Sequence, residues 1–286
     1  MSRRLLALAA CLTLAAAPAQ AAPDHYRTYV DGPWGQIHVR VEGAEGLPTI
    51  LMVHKMVWSS VEFSKDQPLL AKAGYRTIAV DLPGYGLSDP PPQEPTADDY
   101  ADALIPVLDH FHIKKVEYLG SDTGAVVGVA MALRHPDRID HLIMDGVPLF
   151  DAPTTAKWLE EKEEDRTPTR DGSEFTRHLK TAPANISAEG LQQGTLALFQ
   201  AGPRVLDGHH AVFKYALAEG YKRDRVPTMV LMYPHKGSIG SLPTVKALRP
   251  DFTYVMLDIP SQLGDFDYPG PWSQAVVDYL RSVGVK

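Results

Sequence analysis

Ten residues restrict what this chain can fold into more than any others: Val116-Glu117-Tyr118-Leu119-Gly120-Ser121-Asp122-Thr123-Gly124-Ala125. A β-rich apolar run enters a turn and leaves it as an apolar, helix-favouring stretch. Gly120 and Gly124 stand two positions to either side of Asp122. Where a strand passes directly into a helix the backbone is crowded. Removing β-carbons there lets the central residue take a strained conformation and project its side chain above the sheet. Such a side chain sits at a helix N-terminus, where amide N–H groups and the helix dipole favour negative charge. Asp122 therefore reads either as the reacting or ligand-contacting group of a site or as a plain cap on the following helix. The flanking glycines favour the first.

The rest of the chain supplies a frame for that turn. Short β-rich runs at 49–53, 76–80, 116–119, 141–144, 229–233 and 252–257 alternate with helical stretches, which predicts a mainly parallel, buried sheet wrapped by helices, an α/β chain. Ahead of them, 26–30 and 36–41 flank Asp31-Gly32-Pro33 and predict a β-hairpin. Ala101, Leu104, Ile105, Leu108 and Phe111 share one helical face, with Thr96 and Asp99 as a capping pair. Residues 126–133 are apolar all round, as a helix buried beneath a sheet must be. Trp272, Val276, Tyr279, Leu280 and Val283 predict a closing amphipathic helix. About 80 residues between the strands ending near Met144 and beginning near Thr228 carry no strand signal. They predict a helical insertion, a lid over about 149–225. With no internal repeat or linker, residues 22–286 read as a single domain.

Composition narrows the function. With 286 residues, 44% of them apolar, the chain can bury a substantial core. A net charge of −7 with interspersed signs gives no basic surface for nucleic acid or an anionic membrane. The acidic run at 160–166 reads as a solvated helix face. Arg3 and Arg4, the apolar stretch 5–17 and Ala19-Gln20-Ala21 read as a secretory signal cleaved after residue 21. The expected localisation is then periplasmic or secreted, by the general or the twin-arginine route. Cys11 is the only cysteine and lies inside that segment. The mature protein then has no thiol, disulfide or cysteine ligand. No phosphate-cradling glycine loop is present, so no organic cofactor is expected. The expected partner is a small organic molecule, with no membrane contact after signal removal; oligomeric state is not legible.

The elbow does not stand alone. Residues 50–54, the stretch Ala79-Val80-Asp81-Leu82-Pro83-Gly84-Tyr85-Gly86-Leu87-Ser88-Asp89 and His135-Pro136-Asp137-Arg138 follow the same order as in the α/β-hydrolase family. The chain resembles that family over nearly its whole mature length, which implies an α/β-hydrolase fold with a helical lid. An aspartate in the elbow is similar to the branch containing haloalkane dehalogenases, haloacetate dehalogenases and epoxide hydrolases. There the resemblance implies attack by the carboxylate on an sp³ carbon and an ester intermediate, hydrolysed by a histidine-activated water. It also implies backbone oxyanion donors from Thr123 and Met56, beside His54 and Lys55.

Several positions depart from that pattern. No histidine follows His235, and the loop 258–267, where the family carries its histidine, offers Asp265 between Gly264 and Phe266. The usual acid after 229–233 is replaced by Pro234-His235-Lys236-Gly237, while Asp145 matches an alternative acid position. Lys55 replaces a glycine of the oxyanion loop, and Thr123 stands where haloalkane dehalogenases place a halide-holding tryptophan. Tyr215 and Tyr221 lie in the insertion, as core residues or as proton donors of the epoxide hydrolase kind. Three readings compete: a rearranged Asp122–His235–Asp265 set, a metal gathered by His54, Asp122, His235 and Asp265, or a pocket that binds without hydrolysis. His110, His112, His135, His209 and His210 read as structural. The leading expectation is hydrolysis of a small, mostly apolar substrate of the ester, epoxide or alkyl halide class. Asp122 is the nucleophile, Asp145 the orienting acid, and Asp265 and His235 contend to activate water. The alternative is a non-hydrolytic periplasmic small-molecule-binding protein.

Overall fold

The computed structural model describes residues 24–160 and 167–286. The signal segment read at 1–21, and residues 161–166 of the acidic run, lie outside the described residues. The chain opens with a hairpin of β1 (His25–Gly32) and β2 (Gly35–Glu42). Its strands run further than the sequence suggested: Gly32 pairs with Gly35 across Pro33-Trp34. Gly35, at φ +127°, takes a conformation that a β-carbon would bring against the Asp89 side chain. β3 (Thr49–Val53), α1 (Asp66–Lys72), β4 (Arg76–Val80), α2 (Ala97–His110), β5 (Val116–Ser121), α3 (Thr123–Arg134) and β6 (Ile139–Asp145) follow. Next come α4 (Ala152–Leu159), α5 (Ser173–Thr181), α6 (Ala188–Ala201), α7 (Asp207–Lys214) and α8 (Leu217–Arg223). The chain closes with β7 (Thr228–Met232), α9 (Leu242–Leu248), β8 (Thr253–Met256), α10 (Gly264–Asp267) and α11 (Pro269–Ser282).

The strands form one eight-stranded sheet in the order β1-β2-β4-β3-β5-β6-β7-β8. β1, β2 and β4 pair antiparallel, and every pairing from β4 to β8 is parallel. β3, β5 and β7 are buried almost throughout, which explains their unbroken apolar runs. One core face packs α2 and α3 against the sheet, and the other packs Leu70 of α1 and Trp272, Val276 and Leu280 of α11. The Thr96/Asp99 pair forms a reciprocal capping box at the start of α2. α8 returns to the body, with Leu217 and Tyr221 in the main core and Gly220 close against Val129 of α3. Among the described residues no helix is long and apolar enough to cross a membrane.

Strand order reverses between β3 and β5. In an open parallel sheet, loops at the carboxyl ends diverge there and leave a crevice. The elbow lies at this point. Asp122 has φ +38° and ψ −92°, one of two non-glycine residues with positive φ among the described residues. The reason for its glycines is measurable. A β-carbon on Gly124 would lie 2.0 Å from the Val53 carbonyl oxygen, and one on Gly120 would lie 2.2 Å from the Gly124 carbonyl. Both obstacles are backbone, so neither can step aside. Gly124→Ala is expected to cost about 3 kcal/mol or more in urea unfolding, through overpacking against fixed backbone. Gly240→Ala, where a β-carbon meets open space, should stay within about 0.5 kcal/mol.

Candidate functional site

Asp122 occupies the N-cap position of α3, yet its carboxylate makes no capping hydrogen bond. The cap reading fails on that point. The side chain, 27% exposed, instead turns towards the loop after β7. Lys236 Nζ lies 3.2 Å from Asp122 Oδ2, and the Ser238 hydroxyl donates to Asp122 Oδ1 at 3.1 Å. Ser238 is itself fixed by accepting from the Val147 amide at 3.0 Å. The Asp122 amide donates to the Asp145 carbonyl at 2.9 Å, which ties the elbow to the end of β6.

Lys236 is buried and serves two carboxylates. Besides Asp122 it reaches Asp145 Oδ2 at 3.0 Å and the Ser121 hydroxyl at 3.3 Å. Burial alone would push its ammonium down, but the charges of Asp122 and then Asp145 hold it well above the ordinary lysine value. Burial raises Asp145 to about 6, an effect tempered by Lys236. Lys236 thus remains a cation and cannot serve as a base at neutral pH.

A second buried cluster lies beside the first. Lys55 Nζ pairs with Glu62 and, at 3.0 Å, with Asp265 Oδ2. Burial opposes the Lys55 charge, but Asp265 and Glu62 raise it to about 12. Burial lifts Glu62 well above the usual carboxyl range, whereas Asp265, equally buried, is kept below that range by Lys55 and by a hydrogen bond from Glu62. Both Glu62 oxygens also accept from Lys55, one from its amide at 2.8 Å and the other from its ammonium. His54 is fully occupied: its Nδ1 donates to the Lys55 carbonyl at 2.8 Å and its Nε2 accepts from the Leu82 amide at 3.0 Å.

Above Asp122 lies a cavity of ≈ 370 Å³. Asp122, Thr123, Met56 and Ser238 form its floor, and Phe150, Trp158, His209 and Phe213 form much of its wall. Trp158 and Phe213 stack at 5.8 Å between centroids, and Phe150 lies 5.6 Å from Phe213. The wall is aromatic and the floor polar, the usual composition of a small-molecule site.

These positions correct several expectations. His235 is exposed, and no hydrogen bond or ion pair among the described residues joins it to Asp122 or Asp265. The rearranged Asp122–His235–Asp265 set is not assembled. Its neighbour Lys236 points inward because the chain turns there, the Lys236 amide donating to the Tyr233 carbonyl at 3.0 Å. Asp265, His54 and Lys55 do not line the cavity. The metal grouping finds no geometry: both His54 nitrogens are engaged, and no cluster of three or more ligating side chains occurs among the described residues. The Met56 amide donates to the Thr123 hydroxyl at 3.3 Å, so one expected oxyanion donor already has a partner. The Asp145 carboxylate is linked to that of Asp122 through Lys236. Tyr221 is core, fully buried.

Lys236, Ser238 and His209 were not singled out from the sequence. His209 was legible in principle: positions 209, 212 and 213 fall on one helical face, and all three line the cavity. Its ring lies 5.3 Å from Trp158 and 5.8 Å from Phe213. Burial, with His210 acting in the same direction and Asp122 in the opposite one, lowers its pKa to about 4.

Comparisons with known proteins agree with this architecture. A family model described as alpha/beta hydrolase fold matches residues 48–197. A 2-hydroxy-6-oxononadienedioate/2-hydroxy-6-oxononatrienedioate hydrolase of Cupriavidus pinatubonensis is 32% identical over 134 residues, 44% of this chain and 45% of that protein. A haloalkane dehalogenase of Psychrobacter cryohalolentis is 30% identical over 105 residues, 36% of this chain and 35% of that protein. The chain thus spans less than half the length of these curated relatives. The solved structure of an epoxide hydrolase from an endophytic Streptomyces superposes with a TM-score of 0.71 at 16% identity, over 92% of this chain and 97% of that one.

Two stability measurements check the electrostatics. Lys236→Met leaves Asp145 buried without its cation and should cost about 3–5 kcal/mol at pH 7. Asp145, raised in the fold, binds its proton more tightly there than in the unfolded chain. Without the cation Asp145 takes up its proton at a pH above the value of about 6 that it has beside Lys236, so the cost should shrink as pH falls towards 6 and level off below it. His209 has the opposite sign: its lowered pKa contributes stability above pH 6.5 that is lost as pH falls towards 4. Urea titrations of His209→Gln at pH 7.5, 6 and 4.5 should show the variant gaining on the wild type as pH falls.

Proposed function

Because the chain belongs to the α/β-hydrolase fold family, we propose that it hydrolyses a small, mostly apolar organic molecule, with Asp122 as the nucleophile. The alkyl halide, epoxide and ester classes fit the aromatic wall and polar floor of the cavity. One observation carries this reading. Asp122 sits where an aspartate ordinarily caps a helix, forgoes the cap, and is held by Lys236 and Ser238 at the base of the cavity. The haloalkane dehalogenase relative supports the same reaction class.

The chemistry follows from those contacts. One Asp122 oxygen attacks an sp³ carbon, the bond to the leaving group breaks with its electron pair, and an ester remains on the enzyme. Ionisation of Asp122 needs no base, because Lys236 already compensates the charge. The same ammonium, 3.2 Å from Oδ2, lies where negative charge develops when water adds to the ester carbonyl. It is thus a fixed electrostatic stabiliser beside the Thr123 amide. The Met56 amide joins them by exchanging its long contact with the Thr123 hydroxyl. Asp145 anchors Lys236 rather than orienting a histidine. The helices between β6 and β7 serve as the lid that excludes bulk water.

The signal-like segment at 1–21 supports export to the periplasm or beyond. Amino-terminal sequencing of protein recovered from that compartment should begin at Ala22, and an intact Met1 would contradict cleavage.

Single turnover with alkyl halide or epoxide in ¹⁸O-water tests the nucleophile. Label should enter Asp122, while the first product carries unlabelled oxygen. Asp122→Asn should lower kcat by about 10³-fold or more, the scale set by removal of a nucleophile. A second reading, binding without hydrolysis, is favoured by the engagement of the Met56 amide and by Asp265 being spent on Lys55. Inertness to every substrate together with tight uptake of an apolar ligand selects it.

A further inference from the structure

We infer that His209, on α7 in the cavity wall, is the base that activates water against the Asp122 ester. This rests on the reading of Asp122 as nucleophile and supplies the residue that reading lacks. The loop after β8 carries no imidazole, and its Asp265 is held by Lys55 away from the cavity. His209 shares the cavity with Asp122, Thr123 and Ser238. Its ring is set by Trp158 at 5.3 Å and by Phe213 at 5.8 Å, so its direction is defined by packing. Its Nδ1 is buried without a hydrogen-bond partner among the described residues. Four of the other histidines are committed elsewhere, His38 to Asp81, His135 to Asp102, His141 to Glu117 and His54 to the backbone, and His235 is exposed.

The protonation state suits the role. The groups acting on the ring are His210 beside it on α7, which is tied to Glu94 along with Lys214, and Asp122 across the cavity. Burial dominates, so the imidazole is neutral at pH 7 with a lone pair available. In the step assigned to it, imidazole nitrogen takes a proton from water as the water oxygen bonds to the ester carbonyl carbon. The tetrahedral intermediate collapses, the acyl carbon–oxygen bond to the product breaks, and the departing alkoxide takes the proton back from imidazolium. Asp122 is left as a carboxylic acid holding the second proton of the water, and loss of that proton to solvent regenerates the carboxylate, with water as the only co-reactant.

Intact mass spectrometry with 1-bromobutane, 1,3-dibromopropane and styrene oxide separates the two steps. Wild type should release product continuously. His209→Gln should form one adduct on Asp122 at an undiminished rate and then stall, with hydrolysis down about 10²- to 10⁴-fold. His209→Phe, which preserves the aromatic packing, should stall in the same way, and Asp122→Asn should form no adduct. In wild type the acid limb of kcat should fall near pH 4, and the His209 ring should titrate there by NMR, as its lowered pKa requires. Wild-type turnover in either His209 variant, equal loss of adduct formation and hydrolysis, or a ring protonated at pH 7 overturns the assignment while sparing Asp122. Absence of both adduct and product in the wild type overturns the nucleophile reading and this inference with it.

Discussion

A single buried ammonium organises the carboxyl edge of the sheet. Lys236 bridges Asp122 on the elbow and Asp145 at the end of β6, at 3.2 and 3.0 Å. Without it, two carboxylates on neighbouring strand ends would repel, and burial would favour a proton on Asp145. With it, Asp122 can remain an anion at the base of an apolar cavity. A buried ion pair is a weak source of stability, because desolvation cancels much of the attraction. Here its consequence is positional: it decides which way the Asp122 side chain faces. The second lysine, Lys55, bridges Glu62 and Asp265 in the same manner.

The strained elbow and the ion pair depend on each other. The elbow lifts Asp122 out of the sheet only because Gly120 and Gly124 admit close backbone approach, and positive φ at a non-glycine residue costs of order 1–3 kcal/mol. The contacts of Lys236 and Ser238 with the carboxylate help offset that cost. Asp81 holds the neighbouring loops in place by accepting from the His38 ring, the Ser60 amide and the Leu87 amide. The family-like stretch around it therefore serves the framework of the site rather than its chemistry.

Much of the fold was legible because its signals are local. The glycine pair at the elbow, the apolar strand runs and the Thr96/Asp99 cap each act within a few residues. The hairpin ran past its expected turn because Gly35, rather than Asp31-Gly32-Pro33, supplies the unusual backbone. The site was legible only in part. Asp122 declared itself, whereas the choice between His235 and Lys236 depended on which of two adjacent side chains a loop turns inward. Chemical expectation favoured the imidazole, and the loop geometry buries the lysine. The Lys55–Asp265 pair joins residues 210 positions apart, and no local pattern encodes such a partnership. His209 reads as structural when taken alone in the sequence; only its place on one helical face with Val212 and Phe213, which line the cavity, marks it out.

The central claim is that Asp122 faces the cavity as a reactive anion rather than capping α3. A crystal structure of the protein soaked with 1-bromohexane tests it most directly. The account predicts continuous density from an Asp122 carboxylate oxygen into an alkyl chain lying among Phe150, Trp158 and Phe213, with Lys236 still beside the other oxygen. An unmodified carboxylate folded back onto the first amides of α3, with the chain bound elsewhere, would contradict it.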